Sequence, residues 1–262
     1  MLLALHPMDA QRRSKKSDQP SIVVNDSLFP GLKWRNIGPF RGGRSVTSTG
    51  VVGPPHTFYM GNTGGGIWKT TDDGVTWKNV SDGFLKTGTV GDIAVSESNP
   101  NIVIAGMGEH AARGVMTSMG DGVYKSTDAG KTWKHIGLDH TRHISDVIIH
   151  PTNPDIIFIA AQGAQYGPSE DRGIYRSTNG GVTWEKVLYV DNITGASSLS
   201  MDMNNPLILY AAMWQHERTP WTITSGGASS GFYKSTDGGT TWDKMEKGLP
   251  KEFGKSGISV SR

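Results

Sequence analysis

From about residue 43 onward the chain alternates apolar and polar positions with period two, in short runs broken by Gly, Asn, Asp and Pro. Two kinds of run recur. The first is a pair of apolar segments joined by an Asn-Pro turn: Ile93-Ala94-Val95 to Ile102-Val103-Ile104 through Asn99-Pro100, Val147-Ile148-Ile149 to Ile156-Ile157-Phe158 through Asn153-Pro154, and Leu199 to Leu207-Ile208-Leu209 through Asn205-Pro206. Each reads as two strands and a reversal. The second is a twelve-residue stretch found four times, at Gly66 to Trp77, Gly122 to Trp133, Gly173 to Trp184 and Gly231 to Trp242. Its order is an apolar-aromatic pair, a basic residue, Ser or Thr, then Asp or Asn, Gly, Thr and Trp.

The second pattern predicts a hairpin. Its alternating residues make one strand and its Thr-Trp pair opens the next. In the turn between them a Ser or Thr hydroxyl and the side chains of Asp72, Asp128, Asn179 and Asp237 can satisfy loop N–H groups. Gly74, Gly130, Gly181 and Gly239 supply the positive φ of the reversal. Trp77, Trp133, Trp184 and Trp242 are expected to cover their own turns. Four copies of one active site are improbable on one scaffold, so the repeated Asp and Asn side chains are read as structural.

The four Trp positions are separated by 56, 51 and 58 residues. Two strands plus a hairpin per period make four, the content of one propeller blade. The expected fold is therefore all-β, a β-propeller of four-stranded antiparallel blades at about 43–80, 90–136, 144–188 and 196–245. Residues 1–28 read as a disordered leader, with Met1-Leu2-Leu3-Ala4-Leu5 as a possible remnant of a secretory signal. The propeller would occupy 29–262. Lys33-Trp34-Arg35-Asn36-Ile37 resembles an outermost strand without its blade, and 256–262 resembles the first strand of a further one. Neither fits a four-blade ring, so the expectation is a truncated arc of four blades plus parts of a closing or fifth blade, whose remaining C-terminal blades are partners in the same protein.

The motif Ser/Thr-x-Asp/Asn-x-Gly-x-Thr-Trp resembles the Asp-box of the bacterial neuraminidase repeat, shared by sialidases, xyloglucanase-type glycosidases, plant photosystem assembly factors and the luminal domain of sortilin-type receptors. The nearer resemblance is to large bacterial proteins of sortilin-like or glycosyl hydrolase-like type. Their propeller opens with a segment similar to Ile37-Gly38-Pro39-Phe40-Arg41-Gly42-Gly43-Arg44 and continues like Gly64-Gly65-Gly66-Ile67-Trp68-Lys69-Thr70. The resemblance runs from about Trp34 to the C-terminus. It implies the fold and an extracytoplasmic location, secreted, periplasmic or at the cell surface, but not one activity, because enzymes and non-enzymes share the motif.

Composition narrows the choice. The chain has 35 Gly, 13 Pro and no Cys in 262 residues, which suits a turn-rich repeat protein and excludes disulfides and thiolate metal sites. The net charge of +2 is carried by Arg12, Arg13, Lys15 and Lys16 against Asp9 and Asp18, which leaves 22 basic and 22 acidic residues after position 20. No nucleic-acid surface is expected from so balanced a domain, nor a membrane span, since no apolar run is long enough.

Candidate chemistry sits in the links from second to third strand and from blade to blade, expected on the channel face opposite the Asp-box turns. Ligand-binding candidates there are Glu109, His110, Arg142, His143, Gln165, Tyr166, Trp214, His216 and Arg218, with Arg41 and Arg44 from the opening segment. The arginines suit a carboxylate or sulfate, or else prop a Gly-rich turn. Sialidases carry an Arg-Ile-Pro motif near the first blade, and Phe40-Arg41-Gly42-Gly43 lacks the Ile-Pro. The loop rings Trp214 and Trp221 suit stacking on sugars or peptide side chains, or packing within the loop. His110, His140, His143 and His216 could converge on a metal, but hydrogen bonding is the favoured role, and no metal and no cofactor are expected. Catalytic residues are unknown: Glu109, Asp146, Glu170 and Glu217 are carboxylates that could face the channel, and no motif singles out a pair. The expected function is a scaffold binding a polypeptide or carbohydrate ligand. The alternative is a glycoside hydrolase, sialidase-like or xyloglucanase-like. Buried, opposed channel carboxylates of raised pKa would favour the hydrolase.

Overall fold

The computed structural model describes residues 44–110, 117–250 and 252–261, all inside one unit, 42–262. Arg41, the expected strand around Trp34 and the expected leader at 1–28 lie outside the described residues.

Among the described residues there is no helix. The first sheet runs β1 (Ser45–Gly50), β2 (Phe58–Asn62), β3 (Ile67–Thr70) and β4 (Lys78–Asn79). The second runs β5 (Val90–Val95), β6 (Val103–Met107), β7 (Val123–Ser126) and β8 (Lys134–His135), and the third β9 (Ile144–Ile149), β10 (Ile157–Ala161), β11 (Gly173–Ser177) and β12 (Glu185–Leu188). The fourth has β13 (Thr194–Met201), β14 (Leu209–Arg218), β16 (Gly231–Ser235) and β17 (Asp243–Met245), with β15 (Ile223–Ser225) paired to the far half of β14. Every sheet is an antiparallel meander in chain order, and the inner strands β1, β5, β9 and β13 lie side by side. This is the blade arrangement of a β-propeller.

The core lies between sheets, which is why the second strands are apolar on both faces. In β6, Val103, Ala105 and Met107 pack back against Tyr59 and Ile67 of the first sheet, while Ile104 packs forward against Ile144 and Ile157 of the third. In β10, Ile157 and Ile159 face the second sheet, and Phe158 and Ala160 face Leu199 and Leu209 of the fourth. Burial of each Ile or Leu in such a seam contributes roughly 1.5–3 kcal/mol. The outermost strands β4, β8 and β17 keep no buried residue.

The repeated turn shows one bonding scheme. In the second sheet Ser126 Oγ donates to Asp128 Oδ1 (2.8 Å) and accepts from the Gly130 amide (2.8 Å), while Asp128 accepts from the Thr132 amide and hydroxyl at 2.9 and 2.7 Å. Gly130 has φ of 83°. Those bonds from Thr132 hold the Asp128 carboxyl down at about 2, and Asp72 and Asp237 lie at the same value from their own turn hydroxyls and amides. The basic residue of each of the first three stretches reaches forward: Lys69 to Ala129 O, Lys125 to Gly180 O, Arg176 to Gly238 O, at 2.9–3.0 Å.

The tryptophans do more than cover their own turns. Trp242 bonds within its hairpin, to Gly239 O, but Trp133 donates backward to Val80 O (2.9 Å) and Trp184 to Ile136 O (2.8 Å), each in the preceding blade. They join blades as well as closing hairpins.

A second seam runs along the inner strands. Each carries a bulge at the same place, with Val46, Gly91, Ser145 and Ser197 as the extra residues. The residue after each bulge turns toward the next blade. Thr47 Oγ donates to Asp92 Oδ1 (2.5 Å), Asp92 Oδ2 accepts from the Val147 amide (2.8 Å), Asp146 Oδ2 from the Leu199 amide (2.6 Å), and Ser198 Oγ from the Ile258 amide (3.3 Å). At Gly91 a Cβ would stand 2.1 Å from Ile144 O, so the close approach of the second and third blades requires glycine there.

Candidate functional site

The repeated turns share one end of the sheets with the first-to-second-strand turns, as bonds such as Ala129 N to Asn101 O and Gly180 N to Asp155 O show. The longer links occupy the other end, tied together by Gly108 N to Thr89 O, Gln162 N to His143 O and His216 N to Ile193 O. There the inner strands open into a cavity of about 610 Å³, a size usual for ligand sites, lined by Thr47, Ser48, Asp92, His110, Asp146, Ser197 and Lys255.

The lining is hydroxyl-rich and holds two carboxyls. Burial raises Asp92 to about 6, against the hydrogen bonds from Thr47 and Val147. Burial, and then the neighbouring Asp92, raises Asp146 to about 7, against the Leu199 amide and the Ser198 hydroxyl. By surface both are only partly buried, since they look into the cavity; dense protein on the remaining sides governs the pKa. The two stand on adjacent strands and are both engaged in the inner seam.

Behind this mouth is a closed polar cluster. Both ring nitrogens of His143 and of His216, and both amide atoms of Gln165, are buried without a hydrogen-bond partner among the described residues. The Glu109 backbone opposes the fall in the His143 pKa. Burial takes His143 and His216 to about 4 and His110 to about 3, so all three rings are neutral near pH 7. His110 bonds Gln162 Oε1 at 3.1 Å. Arg172, fully buried, donates to the carbonyls of Gln162, Ala164, Gly167 and His216 and so ties the 162–172 link to β14. Lys255 Nζ lies 5.7 Å over the Trp214 ring, whose centroid is 4.1 Å from that of His216. Burial lowers the Lys255 pKa, and Asp146 opposes that.

The sequence candidates thus divide. His110 lines the channel mouth, and Glu109, His143, Gln165, Trp214 and His216 come together buried behind it, Glu109 held by an ion pair with Arg44. Arg142 is exposed beside Met119, Tyr166 is 53% exposed, and Arg218 stands at the base of the β14–β15 turn. Trp214 is not a surface platform: β14 runs on through it and leaves it 2% exposed, with its indole donating to Ser225 Oγ. Trp221 is 83% exposed. His140 is exposed and apart from the cluster, and among the described residues no three His, Asp or Glu side chains are arranged to hold a metal ion. Glu170 bonds the Tyr189 hydroxyl. Asp92, Arg172 and Lys255 were not singled out as candidates, although a polar residue breaking the same apolar strand in successive blades, Gly91-Asp92-Ile93 and Ser145-Asp146-Val147, was a visible signal.

Exposed aromatic rings gather at this end. Phe84, Tyr166, Tyr189 and Trp221 all stand on its links, and among the described residues Phe58 is the one exposed aromatic elsewhere.

The chain is similar to known proteins. A xyloglucanase of Hypocrea jecorina is 24% identical over 280 aligned positions, covering 93% of this chain and 32% of that protein, and a xyloglucanase of Paenibacillus sp is 25% identical, covering 93% and 26%. The chain therefore spans about a third or less of the length of these relatives. The crystal structure of the GH74 enzyme of Niastella koreensis superposes with a TM-score of 0.53 at 20% identity, over 74% of this chain and 28% of that one, a likeness of fold. The Sortilin-Vps10 family model, described as sortilin, neurotensin receptor 3, matches residues 121–256, just over half of the chain. Repeated turns, bladed sheets and this match together place the chain: it belongs to the Sortilin-Vps10 family.

Proposed function

We propose that the chain forms a glycan-binding wall of a xyloglucanase-type glycoside hydrolase, taking a β-linked polysaccharide across the channel mouth. The observation that carries this is the concentration of exposed aromatic rings on the links at the same end of the sheets as a hydroxyl-lined cavity. Sugar rings present apolar C–H faces that stack on aromatics and hydroxyls that pair with Ser, Thr, Asp and His. The xyloglucanase relatives, aligned over 93% of the chain, favour a glycan over a polypeptide ligand. Such a polymer would be met outside the cytoplasm.

Catalysis is the finer question. Asp92 and Asp146 have the raised pKa of an acid-base pair, but each already accepts hydrogen bonds from the next blade. Asp146 is the carboxyl to test first. Calorimetric titration with soluble xyloglucan, paired with an assay of reducing-end release, decides between the possibilities. Saturable binding is expected, and hydrolysis abolished in Asp146→Asn with binding intact would assign it the acid role. Failure to bind xyloglucan by a protein with a cooperative melt would overturn the reading.

A further inference from the structure

The fourth blade departs from the other three. Its second strand, β14, has ten residues where β2, β6 and β10 have five. Leu209–Met213 pairs with β16 in the ordinary way, but His216–Arg218 continues past the sheet and pairs with β15, whose three residues are all exposed. The result is a two-stranded arm. Its tip closes through Thr219 N to Thr222 O (2.9 Å) and Thr222 N to Thr219 Oγ1 (3.1 Å), and it presents Trp221 and, at 42% exposure, Ile223.

An isolated hairpin of this length is marginal in water, so the anchoring of this one matters. Gly226 N bonds Gln215 O, Trp214 Nε1 bonds Ser225 Oγ, Arg172 holds His216 O, and Arg218 N bonds Gln165 O at 2.9 Å. The last bond sets Tyr166, the next residue in its link, beside the base of the arm. Pro220 and the β-branched Thr219 and Thr222 stiffen the tip. The exposed ring of Trp221 is therefore presented by a pre-ordered element that starts at the channel-mouth cluster, since His216 belongs to both, and the exposed ring of Tyr166 stands on the neighbouring link bonded to its base.

We propose that the β14–β15 arm, with Tyr166, is a second contact surface for the polysaccharide, engaging sugar rings that extend past the channel mouth. This rests on the glycan reading above. A glycan is favoured as the occupant because the arm flanks its aromatic tip with Thr219, Thr222 and Thr224 hydroxyls and the Glu217 and Arg218 side chains, with Ile223 its one exposed large aliphatic residue, and because it continues a glycan-facing mouth. Fixing the ring before binding lowers the ordering cost of the contact.

The test compares chain lengths. Trp221→Ala and Trp221→Phe are titrated with xyloglucan polymer and with a short xyloglucan oligosaccharide that fills the mouth alone. Trp221→Ala is expected to weaken the polymer at least tenfold, leave the oligosaccharide unchanged and keep the melting temperature, with Trp221→Phe recovering most of the loss. Equal weakening of both ligands would put Trp221 in the mouth itself, and no change in either would make the arm idle; both results overturn the inference while leaving the glycan reading intact. If the parent protein binds neither ligand, the glycan reading fails, and the inference with it.

Discussion

Asp146→Asn should make the protein more stable at pH 8 and leave it unchanged at pH 4. The carboxyl has an ordinary value of 3.8 and is raised to about 7 in the folded chain, first by burial and then by Asp92. Below pH 4 it is neutral in both folded and unfolded states and costs nothing. As pH rises from about 4 to about 7 the unfolded chain ionises first, stability is lost, and the full cost is present above 7. A gap of that width corresponds to roughly 4 kcal/mol at 1.36 kcal/mol per pH unit. Partial exposure to the cavity and coupling to Asp92 reduce this to about 2–3 kcal/mol. Asparagine keeps an oxygen to accept from the Leu199 amide and removes the charge. The gain at pH 8 should raise the melting temperature by about 5–10 °C for a domain of this size, read from thermal melts of both proteins between pH 4 and 8. A variant destabilised by the same amount at both ends would mean that the carboxylate is ionised and held by the seam, and that burial does not govern it.

Two further outcomes follow from the repeated elements. Trp133→Ala should cost about 3–5 kcal/mol by denaturant titration, because the ring is 7% exposed in the seam between the first two blades and loses its bond to Val80 O; Trp77→Ala, whose ring is less buried, should cost less. The carboxyls of Asp72, Asp128 and Asp237 lie at about 2, so their stabilisation is complete above 3.8 and is lost as pH falls through 2. Hydrogen exchange between pH 4 and 2 should therefore show Thr76, Thr132 and Thr241 amides losing protection while Thr183, bonded to the non-titrating Asn179, keeps it.

The strands and turns were legible because they depend on neighbours in sequence. Period-two alternation, the Asn-Pro reversals and the Gly positions of the twelve-residue stretch are local signals, and they led to four-stranded sheets. What lay between blades was harder. A bulge at Gly91 or Ser145 redirects the following side chain sideways, so Asp92 and Asp146 face the next strand's amides, and alternation alone cannot register that change. The backward reach of Trp133 and Trp184 was missed for the same reason, since the partner carbonyls are some fifty residues away. The burial of Trp214 is not legible as a loop position because β14 continues through it; it depends on Ser225 and Lys255, which no local pattern connects to it. The clustering of His143, Gln165 and His216 could be anticipated from the equivalence of their links, but their lack of partners could not.

The side-chain bonds of the inner strands and of the basic residues at the turns point forward, while the indoles of Trp133 and Trp184 point back. Thr47, Asp92, Asp146 and Ser198 each address the blade that follows, and so do Lys69, Lys125 and Arg176 at the turns. The contact between blades is therefore head-to-tail, with a leading face that differs from the trailing one, and such contacts propagate without limit unless rotation closes them. Nothing in the bonds counts blades. A duplicated copy of the third blade, about fifty residues from Ile144 to the end of its link, would meet its neighbours with the same acceptors and donors on either side. Blade number in this architecture is thus a property of the angle turned at each step, set by the bulk of the side chains between sheets, and it can drift by whole blades in evolution while every polar contact at the joints is preserved.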